Sequence, residues 1–185
     1  MRAFIAIDVD KTIRDEIQGF VKSINKCSTQ VRWTEIHNIH LTIKFLGEIT
    51  ESKAFELKSV LGELIRQHQT FELIIKGTGC FPNLKTPKIL WLGIERSEQL
   101  HKIHEQIEEI CLSSGIGRQD KPFSPHITIA RIKDNVPQEF TERIMKEKHR
   151  QWGILSVTEV LLMKSLLKPE GPIYSIYGRF PLSIP

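Results

Sequence analysis

Cysteine is scarce in this sequence, and long apolar runs are missing. The three cysteines, Cys27, Cys80 and Cys111, are far apart, with no CxxC spacing and no histidine cluster nearby. An odd number of widely separated cysteines argues against a disulfide framework or a zinc site. It predicts buried thiols in a reducing compartment. No apolar stretch is long enough to cross a bilayer, and the run Ala3–Ile7 stops at Asp8, too early for a secretory signal. These absences predict a cytoplasmic protein without a membrane partner.

Linkers rich in proline and serine are also absent, which predicts a single domain spanning 1–185. Hydrophobic residues make up 40% of the chain and charged residues 26%, as is ordinary for a globular protein. The formal net charge of +4 suits an anionic partner such as nucleic acid, although mild basicity alone is weak evidence. Neither a P-loop nor a nucleotide-activating lysine motif is present, which disfavours ATP-driven chemistry.

The sequence contains an internal repeat, about 1–86 and 87–172, at the separation of 86 residues between His40 and His126. In each half a short apolar strand precedes an amphipathic helix, a histidine-bearing strand, a second helix and a further strand. We expect a turn between the halves at 81–88 and a closing strand near Ile173–Phe180. This order predicts an α+β, bilobal fold: two lobes related by a pseudo-twofold axis, each with an antiparallel sheet and flanking helices, around a central cleft.

Each half carries the pattern His-x-Thr between apolar residues, as HLTI beginning at His40 and HITI beginning at His126. Alternate side chains of a strand share a face, so each histidine lies beside its threonine, Thr42 or Thr128, and the apolar residues face the other way. A single copy would favour a structural histidine. Two copies at equivalent places in a repeat favour a shared site.

Two imidazoles facing each other across a cleft suit phosphoryl transfer to water. The reference pKa of histidine is about 6.5, so one ring can be neutral while the other is protonated near pH 7. The neutral ring takes a proton from water, and the imidazolium protonates the leaving oxygen. Hydroxyls of Thr42 and Thr128 can hold the non-bridging phosphate oxygens. This scheme needs no metal and no cofactor, but residue spacing does not identify the acid.

The two motifs resemble those of the 2H phosphoesterase superfamily. The segments RAFIAI from Arg2, NIHLTIKFLG from Asn38 and KPEGPIY from Lys168 narrow the resemblance to the RNA 2′,3′-cyclic phosphodiesterases, also called 2′-5′ RNA ligases. The resemblance covers essentially the whole chain. It implies hydrolysis of RNA 2′,3′-cyclic phosphate ends, on tRNA fragments or short oligonucleotides, to 2′-phosphomonoesters, with reversible 2′-5′ joining as a further activity. We expect a monomer.

The resemblance also implies roles for individual residues. His40 would be the proton donor to the 3′ oxygen, and His126 the proton acceptor that activates water. Thr42 and Thr128 would bind phosphate oxygens, and Arg131 matches a family arginine near the phosphate. Strict strand alternation turns Arg131 away from His126, so its role requires a bulge or a strand end.

Several other residues have two interpretations. Phe45 and Trp33 could stack on a base, but Phe45 has the apolar parity of its strand, which favours core packing, while Trp33 is undecided. Lys44 shares the parity of the motif residues and could contact phosphate or be solvated. His101 and His104 are three apart on a predicted helix without a third ligand, which favours helix-surface histidines over a metal site.

Two other functions are compatible with the sequence. An RNA- or nucleotide-binding module would keep the cleft without turnover, but a degenerate site would be expected to have lost a histidine. Alternatively, RNA ligation is the physiological task and hydrolysis its back-reaction. The missing ATP motifs leave energy-neutral transesterification open. The prediction is a metal-independent RNA cyclic phosphodiesterase.

Overall fold

The structure, a computed structural model, describes residues 1–24, 29–118, 121–169 and 171–184. The strands in these ranges are β1 (Arg2–Asp8), β2 (Val31–Trp33), β3 (His40–Glu48), β4 (Phe71–Phe81), β5 (Ile89–Ile94), β6 (His126–Ile132), β7 (Gln151–Val157), β8 (Glu159–Lys168) and β9 (Gly171–Pro181). The α-helices are α1 (Lys11–Ile24), α2 (Glu51–Ile65), α3 (Glu98–Ser113) and α4 (Gln138–Lys146). A 3₁₀ turn at Ile36–Asn38 precedes β3.

The strands form one antiparallel sheet in the order β7-β4-β5-β6-β3-β1-β8-β9, with β2 paired to β6. Its two halves meet where β3 and β6 lie side by side, registered at the pair Leu41–Ile127. The α+β class is confirmed, and the two expected sheets are parts of one continuous sheet. Each half of this sheet takes strands from both halves of the sequence, because β4 pairs with β5 and β8 pairs with β1.

The hydrophobic core lies on one face of the sheet and takes side chains from all four helices. Ile5 and Ile7 of β1 belong to this core, whereas Phe4 and Ala6, which alternate with them, point to the opposite face. The α1 and α3 helices follow the predicted periodicity. Their buried residues are Ile13, Ile17, Phe20 and Ile24 in α1 and Leu100, Ile103, Ile107 and Cys111 in α3. Among the described residues, no helix has both the length and the apolar composition of a membrane span.

The N-termini of three helices are capped by side-chain hydrogen bonds. Oδ1 of Asp10 accepts from the Ile13 amide at 2.9 Å, and Oγ of Ser97 accepts from the Leu100 amide at 3.3 Å. Thr50 caps α2 in the same way. Each cap satisfies an amide that the first helical turn leaves without a partner.

Two of the three cysteines lie in the described ranges, and both are buried free thiols, as expected. Burial raises the pKa of Cys80 to about 11, and burial likewise raises the pKa of Cys111 to about 11. Thiols of such high pKa are almost entirely protonated near pH 7 and are poor nucleophiles. Cys27 lies outside the described residues.

Both histidine-bearing strands contain a β-bulge at equivalent positions. In β3 the register with β1 skips Ile43, and in β6 the register with β5 skips Ile129. These positions are separated by the same 86 residues as the two histidines. One extra residue reverses the faces on which the following side chains of a strand lie, in β3 as far as a second register shift at Leu46. Simple alternation therefore fails beyond this point in both strands.

The bulge in β3 overturns the predicted faces of Lys44 and Phe45. Lys44 is fully buried, and its Nζ lies 2.6 Å from Oε1 of Glu108 and donates to the Gly117 carbonyl at 3.1 Å. Phe45 is 60% exposed and is paired with Phe4, on the face opposite the core. The prediction that Phe45 packs in the core was wrong, because the bulge adds an extra residue at position 43 and simple alternation does not hold beyond it.

Removing one partner of the Lys44–Glu108 pair is expected to destabilise the fold strongly. Lys44→Met leaves the Glu108 carboxylate, 12% exposed, without its cation, and breaking a buried pair costs about 3–5 kcal/mol. The double variant Lys44→Met/Glu108→Leu should recover much of this loss because no unpaired charge remains. Urea unfolding followed by circular dichroism measures both.

An exposed pair provides the matched control for this measurement. Lys76 and Glu95 are also in ion-pair contact, at 2.7 Å, with both side chains more than 40% exposed. Lys76→Met should cost less than about 1 kcal/mol. If Lys44→Met were no more destabilising than Lys76→Met, the buried pair would not have the structural importance assigned to it.

Candidate active site

The pairing of β3 with β6 brings the two His-x-Thr motifs together. The antiparallel register of this pair sets Thr128 across from His40 and Thr42 across from His126. The two paired residues are fully buried on the core side, so the motif side chains on either side of them point to the opposite face. Diagonal neighbours in an antiparallel ladder lie roughly 7–8 Å apart. The two imidazoles therefore flank a space suited to a phosphate group.

Both imidazoles are oriented by the same kind of hydrogen bond. Nδ1 of His40 lies 2.7 Å from the Asn38 carbonyl oxygen, and Nδ1 of His126 lies 2.7 Å from the Ser124 carbonyl oxygen. A carbonyl oxygen only accepts, so Nδ1 carries a hydrogen in each ring. Each ring is thus left with Nε2 to exchange a proton with a substrate.

His40 is half-buried between two aromatic rings. Phe4 stacks on it at 4.8 Å between centroids, and Tyr174 contacts it edge-on at 5.3 Å. Burial lowers the pKa of His40 from its ordinary value of 6.5, because the charged ring loses hydration. The hydrogen bond to the Asn38 carbonyl and the Asp8 carboxylate oppose this shift. In the unliganded protein at pH 7, His40 is therefore predominantly neutral.

The turn that contains the carbonyl orienting His40 is held from two sides. Nδ2 of the largely buried Asn38 donates to the Pro172 carbonyl at 3.1 Å. Arg14 donates from Nε to the Ile36 carbonyl at 3.1 Å and from Nη2 to Asp8 at 2.6 Å. Neither Asn38 nor Arg14 was predicted as a site residue, because both act through the backbone of the turn before β3. Only the position of Asn38, two residues before the histidine, could have indicated its role.

His126 lies among a second set of aromatic rings. Phe81 contacts it edge-on at 5.0 Å between centroids, and Trp91 lies 6.5 Å away. The Trp91 indole occupies the space where Gly79 has no side chain, since a Cβ there would approach Cζ2 of Trp91 to 2.3 Å. A glycine at position 79 is therefore required for Trp91 to lie beneath this part of the site.

The bulge in β6 places Arg131 on the same face as His126 and Thr128. Ala130 and Ile132 are buried on the core side, whereas Arg131 is exposed on the other. The predicted position of Arg131 requires a bulge, and this bulge is present. Burial raises the pKa of Tyr174, and the positive charge of nearby Arg131 opposes this shift. The charge of Arg131 thus acts on a residue, Tyr174, that contacts the His40 ring.

Three other residues considered from the sequence lie away from this face. Trp33, which was undecided, packs on the core side against Phe140 at 6.4 Å between ring centroids. His104 is half-buried and stacks on Phe123 at 3.9 Å, and His101 contacts the same ring edge-on at 5.6 Å. In the part of the chain that the structure describes, no group of three or more His, Cys, Asp or Glu side chains is arranged to hold a metal ion.

Comparison with known families and proteins gives consistent matches along the chain. The family model described as the 2′-5′ RNA ligase superfamily matches residues 13–168. An RNA 2′,3′-cyclic phosphodiesterase of Methanothermobacter thermautotrophicus is 31% identical over 183 residues, which cover 98% of this chain and 99% of that protein. A protein of the same name from Archaeoglobus fulgidus is 33% identical over 174 residues, covering 94% and 96%. These matches extend across both motifs.

Solved structures match the fold over the same length. The crystal structure of E. coli LigT complexed with 3′-AMP has a TM-score of 0.78 to this chain and 26% identity, covering 98% of both chains. A structure described as a phosphoesterase has a TM-score of 0.82 with 27% identity and the same coverage. This chain therefore shares its fold with these solved structures.

The lowered pKa of His40 can be measured by NMR titration of its ring resonances. We expect a value below 6.5 in the unliganded protein, so the ring gains its proton only as the pH falls through that value. Tyr174→Ala should admit water and move the pKa of His40 back toward 6.5. Tyr177→Ala, on the same strand but beside Lys58, is the control and should leave it unchanged. A His40 that titrates above 6.5 in the unliganded protein would contradict the effect of burial.

Proposed function

Since this chain belongs to the 2′-5′ RNA ligase superfamily, we propose that it is a hydrolase that opens the 2′,3′-cyclic phosphate at the end of an RNA. The observation that carries the proposal is the pair of imidazoles on one face, each with Nδ1 held by a carbonyl and Nε2 left for the substrate. Relatives named RNA 2′,3′-cyclic phosphodiesterase support the substrate class. LigT complexed with 3′-AMP supports a nucleotide ligand.

The proposed reaction uses the two histidines on opposite sides of the phosphorus atom. Nε2 of His126 accepts a proton from water as the water oxygen bonds to phosphorus. The bond from phosphorus to the 3′ oxygen breaks, and Nε2–H of His40 donates a proton to that oxygen. The products are a 2′-phosphomonoester and a free 3′-hydroxyl. Two imidazoles complete the proton transfers, so we propose a reaction without a metal or cofactor.

The donor role requires His40 to be protonated when the substrate is bound. Burial favours its neutral form in the unliganded protein, but an anionic phosphate in front of the ring favours the imidazolium. Substrate binding and protonation of His40 are therefore coupled in this proposal. Without bound phosphate, His40 is neutral and cannot donate a proton. It can act as the acid only after the phosphate has entered the site.

The remaining predicted residues would position the phosphate. Thr42 and Thr128 lie on the face of the two histidines, one from each strand, where their hydroxyls can donate to the non-bridging oxygens. The guanidinium of Arg131 adds positive charge at the same edge, which favours the additional negative charge that develops on those oxygens. Thr42, Thr128 and Arg131 thus bind substrate, and the histidines transfer protons.

The same arrangement permits a second outcome. If the 5′-hydroxyl of another RNA takes the place of water, its oxygen bonds to phosphorus, and His40 again protonates the departing 3′ oxygen. This reaction gives a 2′-5′ linkage with no change in the number of phosphoester bonds, so it is reversible. We further propose that residues 1–185 act as one catalytic domain and that a monomer holds the complete set of site residues.

Phe45 is the proposed platform for the terminal base. Its ring is 60% exposed on the face of the site and lies 6.2 Å from the ring of Phe4, which stacks on His40. An exposed aromatic ring beside a catalytic group is typical of proteins that stack single-stranded bases. Stacking there would bring the terminal ribose toward His40 without selecting strongly among bases.

The two-histidine mechanism predicts that His40→Ala and His126→Ala each lose about 10²–10⁴-fold in activity. The substrate is a short RNA ending in a 2′,3′-cyclic phosphate, incubated with EDTA, and chromatography separates the 2′- and 3′-phosphate products. The wild type should form the 2′-phosphate in the presence of the chelator. His149→Ala, an exposed histidine beyond α4, is the matched control and should retain full activity.

The outcomes of this experiment separate the proposal from its alternatives. Activity that survives either substitution would show that the site is assigned incorrectly. RNA binding without turnover by the wild type would support a binding module instead. Loss of activity with EDTA, restored by a divalent cation, would contradict the metal-independent reaction.

The base platform predicts that Phe45→Ala raises KM for RNA and has a smaller effect on kcat. Loss of one stacked base costs about 1–3 kcal/mol, so kcat/KM should fall roughly 5- to 150-fold. Phe55→Ala is the matched control, because Phe55 is 73% exposed but lies on α2. An unchanged KM in Phe45→Ala would show that the ring does not contact the substrate.

A further inference from the structure

The carbonyl that orients His126 belongs to a short segment without regular structure. Residues 122–125 lie outside every helix and strand, and no turn or loop hydrogen bond of the backbone holds them within the described part of the chain. The equivalent carbonyl in the other half lies in a 3₁₀ turn, which Asn38 and Arg14 hold by side-chain hydrogen bonds. The Ser124 side chain is exposed and makes no hydrogen bond to the described residues. A different contact therefore fixes the segment before β6.

This contact is made by Phe123, whose ring packs against the core. The ring stacks on His104 at 3.9 Å between centroids, with 4° between the two planes, and His101 contacts it edge-on at 5.6 Å. The two histidines are three residues apart on α3, so one face of this helix holds the ring from two sides. Aromatic contacts have preferred distances and angles. Phe123 therefore attaches the segment to α3 in a defined position.

The two histidine rings are themselves held in place. Nδ1 of His101 lies 2.8 Å from the carbonyl oxygen of Ser97, the N-cap of α3. The His104 side chain is only 13% exposed, and its Nε2 lies 3.6 Å from Oε1 of Glu108, the carboxylate paired with the buried Lys44. Burial lowers the pKa of His104, because the charged ring loses hydration. His104 is therefore mainly neutral at pH 7 and contacts Phe123 as an uncharged aromatic ring.

Prolines connect the position of Phe123 to that of His126. Pro122 and Pro125 lie on either side of Phe123 and Ser124. Proline fixes its own φ, and the residue before a proline is restricted to extended conformations. The segment consequently has few free dihedral angles that could absorb a displacement of Phe123. Since the next carbonyl, that of Ser124, accepts from Nδ1–H of His126 at 2.7 Å, such a displacement would weaken this hydrogen bond.

A general base needs its lone pair on the nitrogen that faces the substrate. A neutral imidazole carries one hydrogen, on either Nδ1 or Nε2, and the Ser124 carbonyl holds this hydrogen on Nδ1 of His126. We propose that Phe123, held by two histidines of α3, is a positioning residue that keeps the Ser124 carbonyl where it fixes this tautomer. The inference rests on the proposed function, in which Nε2 of His126 accepts a proton from water.

The tautomer of His126 is a direct readout of this role. It is measured from the ring ¹⁵N resonances at alkaline pH, where imidazoles are neutral. The wild type should carry the hydrogen predominantly on Nδ1, whereas Phe123→Ala should show a mixture with hydrogen on Nε2. Val21→Ala removes partly buried packing on α1 and is the matched control, which should keep the wild-type tautomer. An unchanged tautomer in Phe123→Ala would overturn the proposal.

Kinetics on an RNA that ends in a 2′,3′-cyclic phosphate give a second readout. Phe123→Ala should lower kcat roughly 10- to 100-fold, because misplacing a catalytic group by about 1 Å can cost this much, and should change KM by less than about twofold. Added to His126→Ala, the same substitution should cost less than about twofold more, since the residue it acts through is already absent. The same loss in both backgrounds, or a raised KM with unchanged kcat, would contradict a positioning role.

His104 provides a second pair of variants, which keeps the test decisive if Phe123→Ala fails to fold. His104→Ala removes the stacked ring, whereas His104→Phe retains one. The phenyl ring sacrifices no hydrogen bond at Nε2, which has no partner within the described ranges. His104→Ala should shift the His126 tautomer and lower kcat as Phe123→Ala does, and His104→Phe should restore both. Identical behaviour of the two His104 variants would show that the stacked ring does not position His126.

The failure of this proposal can be separated from the failure of the proposed function. The His126 tautomer is measured without substrate, so it tests the role of Phe123 even if the wild type turned over no RNA. Absence of turnover by the wild type would contradict the proposed function alone. An active wild type whose tautomer and kcat were both insensitive to Phe123→Ala and His104→Ala would overturn the positioning role and leave the hydrolase intact.

Discussion

The contact between β3 and β6 at Leu41 and Ile127 determines the geometry of the whole site. Both side chains are fully buried, and their pairing is the registered link between the two halves of the sheet. A shift of one residue at this pair would turn the histidine and the threonine of one strand into the core. Burial of two aliphatic side chains, and not a long ladder of hydrogen bonds, therefore keeps the two imidazoles on one face.

The two histidines are held by the same backbone arrangement, but different side chains surround them. Each histidine is held by the carbonyl two residues before it. His40 lies between Phe4 and Tyr174, where burial favours the neutral ring. Equivalent bulges then expose an aromatic ring, Phe45, in one strand and a cation, Arg131, in the other. The different proposed roles of the two histidines thus rest on their environments, since the groups themselves are chemically identical.

Periodicity predicted most of the fold, because helices and strands bury apolar residues at fixed intervals. The helices and the closing strand follow from such patterns. The continuous sheet does not, since the partner of a strand depends on the completed tertiary structure. Alternation also failed at Lys44 and Phe45, because a bulge leaves no residue-type signal in the strand. The carbonyls that orient the histidines were not predictable from residue type, as every residue has one.

The pairing of β4 with β5, and of β8 with β1, has a consequence for how the chain can be divided. A cut in the connection between β4 and β5 would separate β4 from both of its neighbours in the sheet. The N-terminal fragment would also lack β8, and each fragment would expose strand edges that have hydrogen-bonding groups without partners. Neither fragment would contain a complete half of the sheet, and only their association would rebuild it. The molecule therefore has the connectivity of a strand-exchanged dimer fused into one chain, in which each repeat completes the sheet of the other.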